Sequence, residues 1–347
     1  MSPEAARLLL DWYAANRRIL PWREDPTPYH VWLSEIMLQQ TRVEAVKNYY
    51  RKFLETLPDI PALAAAPEEV YLKLWEGLGY YSRVRNLHRA AEKVMADYGG
   101  ELPHTASALK QLPGIGDYTA AAIASIAYGE PVPAVDGNLL RVYARLALYR
   151  DNIKDRKAFL AAHSFYGDAI PAGEAGAFNQ ALMDLGAMVC LPNTAPRCDV
   201  CPLRDHCGAH REGAERALPV MPGKKERRVV ERTVFLIRSG SRTAIQKRPE
   251  RGLLAGMYEF PGAEKKLSRE EAAAWLKKKG VPALRIRELP FAKHIFTHRE
   301  WHMTGYEVLV GSADEDRVPY IMAENSEITE QYSVPSAFAA YMKELTV

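Results

Sequence analysis

Apolar residues recur at spacings of three and four through the first two thirds of the 347-residue chain. The blocks LLLDWYAAN, VWLSEIMLQQTRVEAVKNYYRKFLETL, PEEVYLKLWEGL, RVRNLHRAAEKVMADY, TAAAIASIAYG, NLLRVYARLAL and AFNQALMDLGAMV all carry this period, which a helix converts into one apolar stripe. Pro58, Pro61, Pro67, Gly99, Gly100, Pro103, Pro131, Pro133 and Pro171 fall between the blocks, where they end helices. The pattern predicts an all-α domain of many short helices over residues 1–215. The polar stretch REGAERALPVMPGKKERR follows, with Pro219, Pro222 and Gly223 and a basic end at Lys224, Lys225, Arg227 and Arg228. It reads as an exposed linker over residues 216–229. Beyond it, VVERTVFLIR, RTAIQKR and REWHMTGYEVLVG have the shorter, β-branched or alternating look of strands, and Ser268 with Glu271 makes a capping box ahead of AAAWLKKK. The expectation is a multidomain protein, all-α and then an α+β domain over residues 230–347.

Composition agrees with two soluble domains and narrows little else. A chain of 347 residues exceeds what one ordinary core supports. With 48% hydrophobic and 26% charged residues, it has no apolar run near the ~18 residues of a membrane span. The opening MSPEAARLLLDWYAANRR mixes Glu4 and Asp11 into its apolar positions, the mark of an amphipathic helix and not of a secretory signal. We therefore expect a cytoplasmic protein without a membrane partner. A net charge of +3 permits a polyanionic partner without requiring one.

All 4 cysteines fall in CLPNTAPRCDVCPLRDHC: Cys190, Cys198, Cys201 and Cys207. Two disulfides inside so short a stretch would cross-link almost nothing, and cytosolic thiols stay reduced. Structural zinc sites usually join two closely spaced pairs, and here only Cys198 and Cys201 form one. Three unequal loops suit a cubane iron–sulfur cluster wrapped by one segment; zinc and unliganded buried thiols are the alternatives.

Upstream, LPGIGDYTAAAIASIA reads as a helix, a Gly-x-Gly turn and a second helix, a hairpin over residues 109–128. Gly114 and Gly116 let the backbone come close to a ligand, and the free N–H groups of the next helix start suit a DNA phosphate; a hairpin whose glycine turn serves only close packing is the alternative that the motif alone leaves open. Such a clamp holds backbone and reads no bases.

This hairpin, followed by Val135-Asp-Gly-Asn138 and then the four cysteines, resembles the helix-hairpin-helix DNA glycosylases that carry a [4Fe-4S] cluster. Within that superfamily the chain is similar to the adenine DNA glycosylases of the MutY type. The likeness also covers LPWR at residues 20–23, SEIMLQQTRV at 34–43, WEGLGYYSRVRNLH at 75–88 and AFNQALMDLGA at 177–187. The last third adds EFPG at 259–262 and HIFTH at 294–298, like the Nudix-related domain that recognises 8-oxoguanine in these enzymes. Three departures stand out. Seven residues separate Cys190 from Cys198 where six are typical, so that loop must bulge. Thr297 stands where serine is usual. The segment after Gly262 lacks the carboxylate array that holds magnesium in Nudix hydrolases, which implies binding without hydrolysis.

The resemblance implies an adenine-specific, monofunctional glycosylase of base excision repair, acting as a monomer on duplex DNA with adenine opposite 8-oxoguanine or guanine. N-glycosidic cleavage needs a proton for the leaving base and negative charge near the oxocarbenium-like sugar. Glu35, among apolar neighbours that raise its pKa, is the expected acid, although a first-turn glutamate offsetting a helix dipole is the ordinary use of such a residue. Asp136, oriented by Asn138 and staying ionised, would stabilise the positive charge at C1′ or trap it covalently, although capping a helix is the ordinary use of such an aspartate. Tyr118 occupies the hairpin position where endonuclease III-like lyases place a Schiff-base lysine, so strand cleavage is not expected. Trp22, Arg23, Leu38 and Gln180 would line the adenine pocket. Gln39, Gln40, Thr41, Leu78 and Tyr80, with Phe296, Thr297 and His298, would probe 8-oxoguanine and fill the gap. The cluster would be a structural clasp whose Arg197, Arg204 and His206 face the DNA backbone. An endonuclease III-like lyase and a non-catalytic iron–sulfur DNA-binding protein are the competing readings.

Overall fold

The computed structural model of the chain describes residues 1–192, 194–223 and 226–346; Lys224 and Lys225 of the basic linker lie outside the described residues. The helical period materialises as α1 (Pro3–Asn16), α2 (Pro21–Glu24), α3 (Pro28–Leu38), α4 (Val43–Thr56), α5 (Ile60–Ala65), α6 (Glu68–Leu74), α7 (Ser82–Tyr98), α8 (Ala106–Leu109), α9 (Asp117–Tyr128), α10 (Gly137–Leu146), α11 (Arg156–Gly167), α12 (Ala175–Met188) and α13 (Gly208–Arg211). Ser2, Thr27, Asp59, Thr105 and Asp136 each cap the helix that follows by accepting a backbone N–H, which explains the boundaries. No helix among the described residues is long and apolar enough to cross a membrane.

Two compact units result: Met1–Ala66 with Ser82–Gly223, and Pro67–Tyr81 with Lys224–Val347. Periodicity identifies α6 as a helix but not what it packs against, and the stretch around it groups with the C-terminal unit. There Lys73 Nζ donates to the Thr329 carbonyl at 2.7 Å, and Glu76 Oε1 accepts the Val334 N–H at 3.2 Å. The helical unit runs on to Gly223 because Arg145 Nε holds the Leu218 carbonyl at 3.0 Å and the Ile153 N–H donates to the Val220 carbonyl at 3.0 Å.

In the helical unit, α12 packs on α1, α9 and α10 around Leu9, Tyr13, Leu139, Val142, Tyr166, Phe178, Leu182 and Leu185. α3 is buried from Val31 to Met37, hydrophobic almost all round as an interior helix must be. A polar residue inside α12, Asn179, is fully buried. Its Oδ1 accepts the Ala134 N–H at 2.9 Å, while Nδ2 donates to Ser125 Oγ at 2.8 Å and the Val132 carbonyl at 2.9 Å. These bonds fix the extended segment that delivers Asp136.

The C-terminal unit is a mixed sheet of β1 (Arg228–Ser239), β2 (Arg242–Lys247), β3 (Tyr258–Glu259), β4 (Gly262–Ala263), β5 (Ala283–Ile295), β6 (Arg299–Val310) and β7 (Ile321–Glu324). The order is β3-β2-β1-β6-β5, with β4 beside β1 and β7 beside β2. β1 and β6 run parallel from Arg228 opposite Arg299 to Arg238 opposite Leu309. Both faces are covered: Val234 and Leu236 enter one core with Trp301, Met303 and Phe338, and Phe235 and Ile237 enter another with Leu276, Tyr306 and Val308. Burial on both sides makes this part of β1 a continuous apolar run without alternation. α14 (Arg269–Lys278) covers the second face, with the expected capping box at its start; Glu271 is thereby engaged in the cap.

Because each Asn179 bond is buried, replacing it with leucine strands the Ala134 N–H and the Val132 carbonyl. Asn179→Leu should lower unfolding free energy by about 2–4 kcal/mol, read by urea denaturation; a loss below about 0.5 kcal/mol would show that the segment holds itself.

Candidate active site

Glu35 lies in the last turn of α3, not its first, so the helix dipole opposes its charge. Its side chain is 6% exposed, and Oε2 has no hydrogen-bond partner among the described residues. Burial raises its pKa to about 7; nearby Asp136 adds to the rise, while the facing Tyr118 hydroxyl and Arg23 oppose it. The tyrosine follows the hairpin turn at the start of α9. Its own hydroxyl is held well above the usual phenol range by burial and the two carboxyls, so it stays neutral.

Asp136 is the N-cap of α10. Oδ1 accepts the Leu139 N–H at 2.8 Å and Oδ2 accepts Asn138 Nδ2 at 3.2 Å. Burial pushes its pKa up, and those hydrogen bonds and Arg141 pull back toward the ionised form. Arg141 was not anticipated. Its Nη2 donates to Asn138 Oδ1 at 2.9 Å and to the Gly186 carbonyl at 2.8 Å, and Nε donates to the Cys190 carbonyl at 2.9 Å. It ties the aspartate's neighbour to the first cysteine.

Glu35, Tyr118, Asp136, Asn138, Trp22, Arg23, Leu38, Thr41 and Gln180 line one cavity of 190 Å³ with Arg18. Trp22 is held edge-on against Tyr50 at 5.4 Å. The Arg23 fork is bidentate on Asp184, at 2.8 and 3.0 Å, and Arg18 Nε joins at 2.7 Å. Burial works against charge on Asp184, and the arginines more than compensate, holding its carboxyl below the usual range. Asp184 sits one turn after Gln180. An acidic residue inside the apolar stripe ALMDLGA was the signal for it.

The Gln39-Gln40-Thr41 turn is held from below by Arg83, whose Nη1 donates to the carbonyls of Ile36, Met37 and Gln39 at 3.0, 2.8 and 2.6 Å and whose Nη2 reaches Thr41 Oγ1 at 3.2 Å. Gln39 Nε2 also donates to Thr119 Oγ1 at 3.3 Å. Gln40 adopts φ 58° and Tyr80 φ 48°, a strained region for residues with side chains. Tyr80 is 43% exposed whereas Leu78 is buried, so of the two expected wedge residues Tyr80 faces outward. In the C-terminal unit the Tyr80 hydroxyl meets Thr297 Oγ1, and Phe296, Thr297 and His298 form the tip between β5 and β6.

Gly114 carries φ 76°, and a Cβ there would stand 2.6 Å from Asn86 Cβ, so only glycine fits the turn. Gly116, the N-cap of α9, supplies no side-chain acceptor, which leaves the first amides to an outside anion. Beside it runs a groove of 1040 Å³ where the starts of α9, α10 and α11 meet, at Asp117, Gly137 and Arg156, with Arg141, Lys154 and Arg216 among its walls.

The four cysteines line a second cavity, between Val142, Leu185 and Glu215. A single zinc ion needs thiolates about 3.8 Å apart, from a ~2.3 Å bond and tetrahedral geometry. No three of these thiols lie within 4.8 Å of one another; among the described residues the one group of potential ligands that close is Cys198, His210 and Glu215. Backbone N–H groups point at Cys201 from Leu203 and at Cys207 from His210 and Ala209, and Arg145 Nη1 stands 3.1 Å from the Cys190 sulfur. Burial pushes the Cys201 thiol up to about 12. Wide spacing, amide donors and a cation fit a multinuclear cluster better than one ion.

Residues 33–165 match the HhH-GPD superfamily of base excision DNA repair proteins, and residues 233–344 match the NUDIX domain. The class is thus a helical base excision repair module joined to a Nudix-type unit. Among curated relatives, the adenine DNA glycosylase of Mus musculus is 34% identical over 90% of this chain and 72% of its own length. That of Buchnera aphidicola (strain APS) is 33% identical over 91% of this chain and 87% of its own. A thermostable thymine-DNA glycosylase superposes with a TM-score of 0.55 at 29% identity, covering 60% of this chain and 95% of that one. The chain belongs to the adenine DNA glycosylase family.

The raised pKa of Glu35 sets a stability test. A carboxyl at about 7 when folded and near its ordinary value when unfolded contributes stability that is full below the unfolded pKa. That contribution is lost as pH rises through about 7. Glu35→Gln should therefore gain on the parent by up to about 3 kcal/mol between about pH 4 and about pH 8. Parallel denaturation curves with a constant difference would refute the buried, protonated carboxyl.

Proposed function

We propose that the protein hydrolyses the N-glycosidic bond of adenine paired with 8-oxoguanine or guanine in duplex DNA and leaves an abasic site. The observation that carries this reading is the shared cavity of Glu35 and Asp136, with a tyrosine where a lyase needs an amine. The adenine turns out of the duplex into the space beside Trp22 and Gln180, at a cost of a few kcal/mol in lost stacking. Glu35, protonated near neutral pH, gives its proton to adenine N7 as the C1′–N9 bond breaks. Asp136 stabilises the positive charge at C1′, held in place by Leu139 N–H and Asn138. Water then adds to C1′ and returns a proton to Glu35. A base that cannot accept the proton leaves slowly, so activity falls as pH rises through the Glu35 pKa.

Selection of the mispair falls to residues that read the base opposite. The candidates are Gln39, Gln40 and Thr41 in the helical unit and Tyr80, Phe296, Thr297 and His298 in the C-terminal unit. The hairpin amides at Gly114 and Gly116 and the groove beside them bind backbone phosphates. Three helix starts with Lys154, Arg156 and Arg216 make that groove electropositive, an arrangement suited to a polyanion and blind to sequence. The thiols of Cys190, Cys198, Cys201 and Cys207 would hold a [4Fe-4S] cluster, which when bound clasps the segment after α12 and supplies no step of the cleavage.

Two experiments test the reading. Incubated with a duplex bearing adenine opposite 8-oxoguanine and then heated in alkali, the protein should break the adenine strand, and without alkali it should leave that strand whole. Glu35→Gln should lower the single-turnover rate by roughly 10²–10⁴ while binding the duplex. An intact strand after alkali would leave only the non-catalytic reading, and alkali-independent cleavage with a borohydride-trapped adduct would favour the lyase. Separately, anaerobically purified protein should contain four irons, about one per thiol, and absorb visible light; stoichiometric zinc in a colourless protein would overturn the cluster.

A further inference from the structure

We infer that Arg232 is a positioning residue for the hairpin tip Phe296–His298, acting through the indole of Trp301. The inference deepens the proposed reading of the base opposite adenine and rests on it. Arg232, on β1, is 5% exposed; Glu259 is 5% and Trp301 3% exposed. The Arg232 guanidinium carbon lies 4.2 Å from the centre of the Trp301 ring. Only its Nη2 approaches a carboxylate, Glu259 Oε2 at 3.4 Å, and Nε and Nη1 make no hydrogen bond among the described residues. Glu259 has better partners, since Arg248 pairs with it and Gln246 Nε2 donates at 3.2 Å. The Glu259 carboxylate is thus neutralised without Arg232, which is a buried cation left with the more distant charge of Glu264 and two unmade bonds.

Such a cation is costly, and an apolar side chain of similar size would fill the place with less penalty. What the arginine gives is a flat charged face laid on the indole. Trp301 in turn meets Phe296 edge-on at 4.8 Å and Phe338 at 5.9 Å, and His294 closes on Phe296 at 4.6 Å. The tip is short: the Phe296 N–H donates to the Arg299 carbonyl at 2.9 Å, so the phenyl ring's position sets where the Thr297 hydroxyl stands beside Tyr80. Arg232 holds the indole, the indole holds the phenyl ring, and the ring aims the exposed residues that follow it.

The test compares duplex affinities of the full-length, cluster-loaded protein in a Glu35→Gln background, which keeps the substrate intact. The probes are two duplexes, adenine opposite 8-oxoguanine and adenine opposite guanine, and the readout is the ratio of their Kd values. Arg232→Met should cut the preference for 8-oxoguanine by roughly five- to tenfold while melting at or above the background's temperature. Phe296→Ala should cut it similarly, and the double variant no further. Arg232→Lys, which retains charge without the planar face, should behave as the methionine does and carries the test should that variant not fold. An unchanged preference, multiplying effects of Arg232→Met and Phe296→Ala, or equal loss on both duplexes with a lowered melting temperature would overturn the inference. If the background itself shows no preference for 8-oxoguanine, the functional reading fails instead.

Discussion

Arg141 is the joint on which the helical unit turns. A buried guanidinium must find acceptors, and Arg141 finds them at the Gly186 carbonyl near the end of α12, at Cys190 and at Asn138. Each acceptor answers a different local need. The carbonyls at the end of α12 lack intrahelical partners and carry the negative end of its dipole. Cys190 begins the loop that must be held for four thiols to share one cavity. Asn138 supports Asp136. One turn further along α10, Arg145 repeats the device with Cys190 Sγ and the carbonyls of Leu191 and Leu218. α10 therefore starts at a carboxylate and carries two arginines into the cysteine segment. Loosening the cysteine segment would thus free Arg141, and Asn138 would lose the partner that fixes its amide.

A second network acts at the other wall of the cavity. Asp184, fully buried, gathers Arg18 and Arg23, which fixes the Arg23 fork at the cavity wall, where its charge works against the rise that burial gives the Glu35 pKa. Asp136, close by, is raised by its own burial and held back by backbone and amide donors and by Arg141. In both carboxyls burial is the larger effect, and the surrounding cations and donors oppose it.

Much of this was legible in the sequence because it is local. Helix blocks, the glycine turn, the Ser268 capping box and the four thiols each announce themselves within a few residues. Glu35 and Asp136 could be named from their motifs. What could not be read depends on partners far along the chain: Arg83 under Gln39, Asn179 behind Ala134, Arg18 and Arg23 on Asp184, Arg141 on Gly186. A faint signal existed in each case, a polar or charged residue at an apolar position of the helical period, as with Asn179 and Asp184 in AFNQALMDLGAM or Arg141 and Arg145 spaced one turn apart. Periodicity marks such residues as buried but cannot supply the acceptor. The same limit explains α6, whose helix was evident and whose place in the C-terminal unit was not, and the upward pull of burial on Asp136, which comes from residues outside its motif.

The departures from ordinary protein chemistry then take on a common sense. Glu35 has an unpartnered oxygen, Arg232 has two unmade N–H bonds, and Gln40 and Tyr80 hold backbone angles that cost on the order of 1–3 kcal/mol each. Sequences relax such features where nothing opposes the change, because each has a cheaper replacement that would fold as well. Among the described residues Glu35 and Gln40 stand at the cavity and its turn, and Arg232 and Tyr80 in the C-terminal unit, while Trp32 Nε1, the Tyr50 hydroxyl and the backbone of Leu148 and Leu254 carry like features elsewhere. At the cavity and its turn, an unpartnered carboxyl oxygen on Glu35 and a strained Gln40 are features that a packed core would shed and that a site for chemistry can use.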